Sequence, residues 1–125
     1  MALHTILIID DAADHRDVLG RLLRATGYHV IEIEPGPHAL DYAEQARPDL
    51  IFVGLSLPGQ PGWETARQLR TRAPLAHTPL IGATVFASLL PQRWVEAIGC
   101  LDRLEKPFDF DYLLTRVRGI LPLAA

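Results

Sequence analysis

Apolar positions along this chain alternate between two patterns. Short, nearly continuous runs occur at Leu3 to Ile9, Tyr28 to Ile33, Leu50 to Gly54, Thr78 to Thr84 and Cys100 to Leu104. The first holds the β-branched cluster Thr5-Ile6-Leu7-Ile8-Ile9. Such runs predict strands covered on both faces. Between them, apolar residues recur at helical spacing. Val18, Leu19, Leu22 and Leu23 predict a helix from Asp14 to Thr26, with Asp14 as its N-cap and Gly27 ending it. Ala39, Leu40, Tyr42, Ala43 and Ala46 predict a second helix, stopped by Arg47-Pro48. A third is expected over Trp63 to Ala73 and a fourth from an N-cap at Ser88 through Ile98. A last one, capped by Asp109, carries Leu113, Leu114, Val117, Ile120 and Leu121.

Five strands alternating with five helices predict an α/β fold, a doubly wound parallel sheet with right-handed crossovers. The natural strand order is the flavodoxin-like 2-1-3-4-5. It gathers the ends of strands one, three, four and five at one edge, where such folds place their sites. Those ends offer Asp10 and Asp11, then Gly54, then Thr84, then Lys106 just before Pro107.

Composition narrows the function classes. The 125 residues are read as one domain spanning 1–125. A net charge of −3 argues against direct nucleic-acid binding. No apolar stretch is long enough to span a membrane. The single cysteine, Cys100, forms no internal disulfide, fits a cytoplasmic location and is expected to be a small buried hydrophobe. The histidines, His4, His15, His29, His38 and His77, lack ligand spacing and are expected at the surface.

The chain resembles the receiver domains of two-component response regulators. The matching pieces are Leu7-Ile8-Ile9-Asp10-Asp11, Pro48-Asp49-Leu50-Ile51, Leu57-Pro58-Gly59-Gln60-Pro61-Gly62, Pro79-Leu80-Ile81 with Thr84, and Lys106-Pro107-Phe108. They fall in the family's order and cover essentially the whole chain. The resemblance implies phosphoryl transfer from a histidine kinase to an aspartate ending the third strand. It implies Mg²⁺ held by the paired acids, with help from the backbone carbonyl at Ser56. It further implies that a hydroxyl at Thr84 and the ammonium of Lys106 meet phosphoryl oxygens, and that the peptide before Pro107 is cis.

The sequence departs from that pattern where it matters most. The acceptor position is Gly54, which has no oxygen to phosphorylate. Arg103 stands where the family usually has an aromatic that swings inward, and Val85 where a small residue follows the threonine. The reading is therefore a signalling module rather than an enzyme, requiring no cofactor and keeping at most a weakened Mg²⁺ site at Asp10 and Asp11. Lys106 is expected to pair with Asp10 or Asp11. A histidine kinase, another response regulator or an output domain would be the partner. Homodimerisation through the fourth helix, fifth strand and fifth helix is the related expectation, with Asp102, Arg103 and Arg116 as interface candidates. The competing readings are phosphorylation at a surrogate residue (Ser56, Asp10 or Asp11) and a small-ligand-binding pseudo-receiver using the space at Gly54.

Overall fold

The computed structural model describes residues 3–123. Five parallel strands form one sheet: β1 Thr5–Ile9, β2 His29–Ile33, β3 Leu50–Gly54, β4 Leu80–Thr84 and β5 Asp102–Glu105. Their order is β2-β1-β3-β4-β5, as the alternation predicts. The helices are α1 Ala13–Thr26, α2 Pro37–Ala46, α3 Pro61–Leu69, α4 Gln92–Ala97 and α5 Phe110–Ile120.

The continuous apolar runs have a simple cause. Successive side chains of a strand point to opposite faces, and both faces here are covered. Leu7, Ile9, Ile51, Val53 and Leu80 face a core shared with α2, α3 and α4, built on Ala43, Ala66, Leu69 and Val95. Ile6, Ile8, Leu50, Phe52 and Ile81 face a second core shared with α1 and α5, built on Leu19, Leu23, Leu113 and Val117. Each fully buried aliphatic or aromatic side chain contributes about 1.5–3 kcal/mol relative to exposure. The two cores therefore hold the sheet as a rigid platform, and its C-terminal edge inherits that rigidity.

Some boundaries differ from the periodicity. The strands β1, β2 and β4 start one or two residues later than their apolar runs, and β5 spans Asp102–Glu105 rather than starting at Cys100. Asp14 is not the N-cap of α1: it lies in the first turn, and Ala12 occupies the cap with no side-chain bond. Asp10 lies two residues before that position, and its Oδ1 accepts from the Ala12 N–H at 2.9 Å in an Asx-type turn leading into α1. Gly27 does end α1, at φ 117°, a conformation that favours glycine. The third helix stops at Leu69, and Ala73–Leu75 forms a separate 3₁₀ turn. Ser88 does not cap α4. It lies within a 3₁₀ turn over Ala87–Leu89, and α4 begins after Pro91. Proline has no N–H to donate back into a helix, so the chain re-enters helical geometry only beyond it. Asp109 caps α5 as expected, its Oδ1 accepting from the Tyr112 N–H at 3.1 Å.

Candidate functional site

The parallel register brings the predicted residues together. Ile9 pairs with Val53, Gly54 with Ala83, and Thr84 with Glu105, so the strands end side by side. A cleft of about 270 Å³ opens over these ends, lined by Asp10, Asp11, Gly54, Ser56, Val85 and Lys106 among others.

Asp10 is the centre of the cleft. It is the first residue past β1, and its N–H still donates to the Ile33 carbonyl at 3.2 Å. That bond holds it at the sheet edge, 4% exposed, while Asp11 turns out to solvent. Three contacts hold Asp10 in place. Its Oδ2 accepts from the Lys106 ammonium at 2.6 Å. Its Oδ1 accepts from the Ala12 N–H. Its backbone carbonyl accepts from the Arg16 guanidinium at 2.5 Å. Both ends of the Asp10–Lys106 pair are nearly dry, with side chains 6% and 8% exposed. A buried pair of this kind is held by its Coulomb attraction only so long as both partners stay. The Lys106–Pro107 peptide is cis, and the Lys106 N–H donates to the Thr84 carbonyl at 2.8 Å, fixing the root of the lysine.

Gly54 leaves room for this arrangement. A Cβ at position 54 would stand 2.6 Å from Asp10 Cγ and 2.7 and 2.8 Å from its two oxygens. Real Cβ atoms do not come so close. The Asp10 carboxylate thus occupies the space where a side chain from position 54 would begin.

The other residues named from sequence are drawn into local bonds. The Thr84 hydroxyl, 1% exposed as a residue, accepts from the Phe86 N–H at 2.9 Å. Ser56 Oγ accepts from the Trp63 N–H at 3.0 Å, near the start of α3. Arg103 does not line an outer interface as a free cation. Its Nη1 donates to the Ala87 carbonyl at 3.0 Å and to the Leu90 carbonyl, both in the loop between β4 and α4. Asp102 and Arg116 pair directly at 2.9 Å, with the Tyr112 hydroxyl 3.5 Å from the same carboxylate oxygen. Val85 lines the cleft and is 56% exposed, while Phe86 packs against the core.

Arg16 and Glu32 were not singled out from sequence. Arg16 reaches the Asp10 carbonyl and lies 4.0 Å from Glu32, which Arg24 binds at 2.7 Å. Glu32 was legible only as a polar break in a β-branched strand. The Asp10–Ala12 contact is an Asx-type turn, which an aspartate between a strand and a helix readily forms. Cys100 is buried, and burial pushes its thiol up to about 12. His4 is half-buried, and His15, His29, His38 and His77 are exposed.

A family model described as the response regulator receiver domain matches residues 6–118. A curated relative, the polar-differentiation response regulator DivK of Brucella anthropi, is 29% identical over 117 residues, spanning 94% of this chain and 95% of that protein. The structure of the chemotaxis protein CheY4 of Vibrio cholerae superposes with a TM-score of 0.85 at 28% identity, covering 96% of this chain and all of that one. The receiver domain of the sensor histidine kinase PA1611 from Pseudomonas aeruginosa, solved with a magnesium ion coordinated in its active-site cleft, gives 0.82 at 28% identity, covering 94% and 97%.

Proposed function

Because the chain belongs to the response-regulator receiver family, we propose that it is a two-component signalling module that has lost aspartyl phosphorylation and works through phosphorylation-independent protein–protein contacts. The carrying observation is at the end of β3. Gly54 offers no nucleophile, and the Asp10 carboxylate fills the space beside it. Lys106, the cation such a site would turn toward a phosphoryl group, is bound to Asp10 instead. The cleft has replaced an exchangeable partner with an internal one.

Mg²⁺ is expected to bind the remaining donor set weakly at most. The cation needs several oxygen ligands in near-ideal octahedral geometry. Both Asp10 oxygens are engaged, which leaves Asp11 as the cleft's carboxylate without an internal partner among the described residues. The protein's own ammonium neutralises the charge that a metal would otherwise balance. Calorimetric titration with Mg²⁺ is expected to give no saturable binding in the millimolar range; tight, stoichiometric binding would contradict this.

The partner is then a protein that recognises the fold's surface in one state: a histidine kinase, another response regulator, an output domain, or a second copy meeting the α4–β5–α5 face. The test of lost phosphorylation is intact mass after incubation with acetyl phosphate and Mg²⁺. No gain of a phosphoryl group is expected. A stoichiometric, Mg²⁺-dependent gain would overturn the proposal, and mapping would fall first on Asp11, exposed in the cleft, before Ser56 and Asp10, whose oxygens already accept internal bonds.

A further inference from the structure

The loop from Val85 to Pro91 joins the cleft to α4 and carries two exposed apolar side chains, Val85 at 56% and Leu89 at 60%. Exposed loops of this kind are ordinarily the mobile parts of a fold. This one is tied down from two sides. At its start, the Thr84 hydroxyl accepts from the Phe86 N–H at 2.9 Å. Further along, one guanidinium nitrogen of Arg103 donates to the carbonyls of Ala87 and Leu90, the residue that opens the 3₁₀ turn and the one just after it. Leu90 itself is fully buried.

The root of Arg103 is fixed as firmly as its tip. Its position in β5 pairs with Gly82 of β4. On the outer edge of the sheet its N–H donates to Asp102 Oδ1 at 2.8 Å. The other oxygen of Asp102 is held by Arg116 of α5 at 2.9 Å. The guanidinium is therefore aimed from a backbone anchored to β4 on one side and to α5 through Asp102 on the other. Two charge-assisted bonds from a pre-positioned donor can hold a short loop against opening.

We propose that Arg103 is a positioning residue that clamps the β4–α4 loop in a single conformation, so that the surface bearing Val85 and Leu89 is set permanently rather than switched. Nothing in the clamp requires a phosphoryl group. It uses a guanidinium, two backbone carbonyls and the carboxylate of Asp102, all internal to the chain. The clamp goes beyond the lost acceptor and is independent of it: labelling by a phosphodonor would overturn the proposed function without touching the clamp.

Amide hydrogen exchange on wild type, Arg103→Ala and Arg103→Lys tests it. In Arg103→Ala, protection at Phe86, Leu89 and Leu90 is expected to fall about 10- to 100-fold, the loss corresponding to hydrogen bonds from a charged donor. Amides in β1 and β3 should keep their wild-type protection. Arg103→Lys should recover part of the loss, since an ammonium supplies charge without the fixed fork. Should the alanine variant not fold, Arg103→Gln keeps length and a single donor and carries the same comparison. Unchanged loop protection would overturn the proposal, as would an even loss across the whole sheet, which marks a merely structural arginine.

Discussion

Substituting Gly54 probes the cleft most sharply, because the structure sets the size of the effect. In Gly54→Ala, the new Cβ arrives 2.6–2.8 Å from the three carboxylate atoms of Asp10. Something must give, and the carboxylate must turn away. Turning strains or breaks its bonds to Lys106 at 2.6 Å and to the Ala12 N–H at 2.9 Å. Overpacking alone costs about 1–3 kcal/mol, and weakening a hydrogen bond to a charged group adds about 1.5–3 kcal/mol. A loss of about 3–5 kcal/mol is expected for what would ordinarily be a stabilising glycine-to-alanine change. Gly54→Asp meets the same obstruction and brings a third carboxylate to a cleft with one lysine. It should be at least as destabilised, and millimolar Mg²⁺ should recover stability in Gly54→Asp alone, since only that variant offers a second free carboxylate. Urea unfolding with and without Mg²⁺ gives these values directly. If Gly54→Ala lies within about 0.5 kcal/mol of wild type, as a neutral surface change would, Asp10 does not occupy the space beside position 54 and the reasoning fails.

Further consequences follow from the same contacts. Lys106→Met should cost about 3–5 kcal/mol in urea unfolding, because it leaves the Asp10 carboxylate buried without its cation; the double variant Asp10→Asn/Lys106→Met should recover part of that loss. Cys100 should resist a thiol reagent at pH 8 until the protein unfolds, since burial raises its thiol from 9.0 to about 12; prompt labelling of the native protein would refute its burial. The same shift carries a pH signature. The folded form holds its proton more tightly than the unfolded one, so the thiol's contribution is intact below about pH 9 and is lost as pH rises toward 12. That alkaline loss, up to about 4 kcal/mol, should shrink in Cys100→Ala. A residual loss from Tyr28 should remain, its phenol likewise raised by burial while donating to the Leu121 carbonyl.

The layout of the fold was legible in the sequence because both-faces burial leaves a direct trace. Runs such as Leu50 to Val53 have no polar residue to spare for solvent, and all four are buried. The location of the cleft followed from strand order and the residues after each strand. What could not be read were choices made by distant neighbours. Asp10 and Asp11 are adjacent in sequence, and only a contact with Lys106, 96 residues away, together with the edge bond to Ile33, decides which is buried. Arg103 was read as a substitute for a switch aromatic and as an interface candidate, because local pattern does not reveal two carbonyls 13 and 16 residues earlier. The start of α4 was placed too early for the opposite reason. The local signal at Pro91 was present, but the apolar spacing of Leu89, Trp94, Val95 and Ile98 outweighed it.

If internal partners set the cleft and the loop above it, neither should respond to phosphorylation conditions. The amide spectrum of isotopically labelled protein, recorded before and after acetyl phosphate with Mg²⁺, tests that most directly. Resonances of Asp10, Gly54, Thr84 to Leu90 and Arg103 to Lys106 are expected to stay in place. Concerted shifts of these amides, saturating with the phosphodonor and absent without Mg²⁺, would contradict the account.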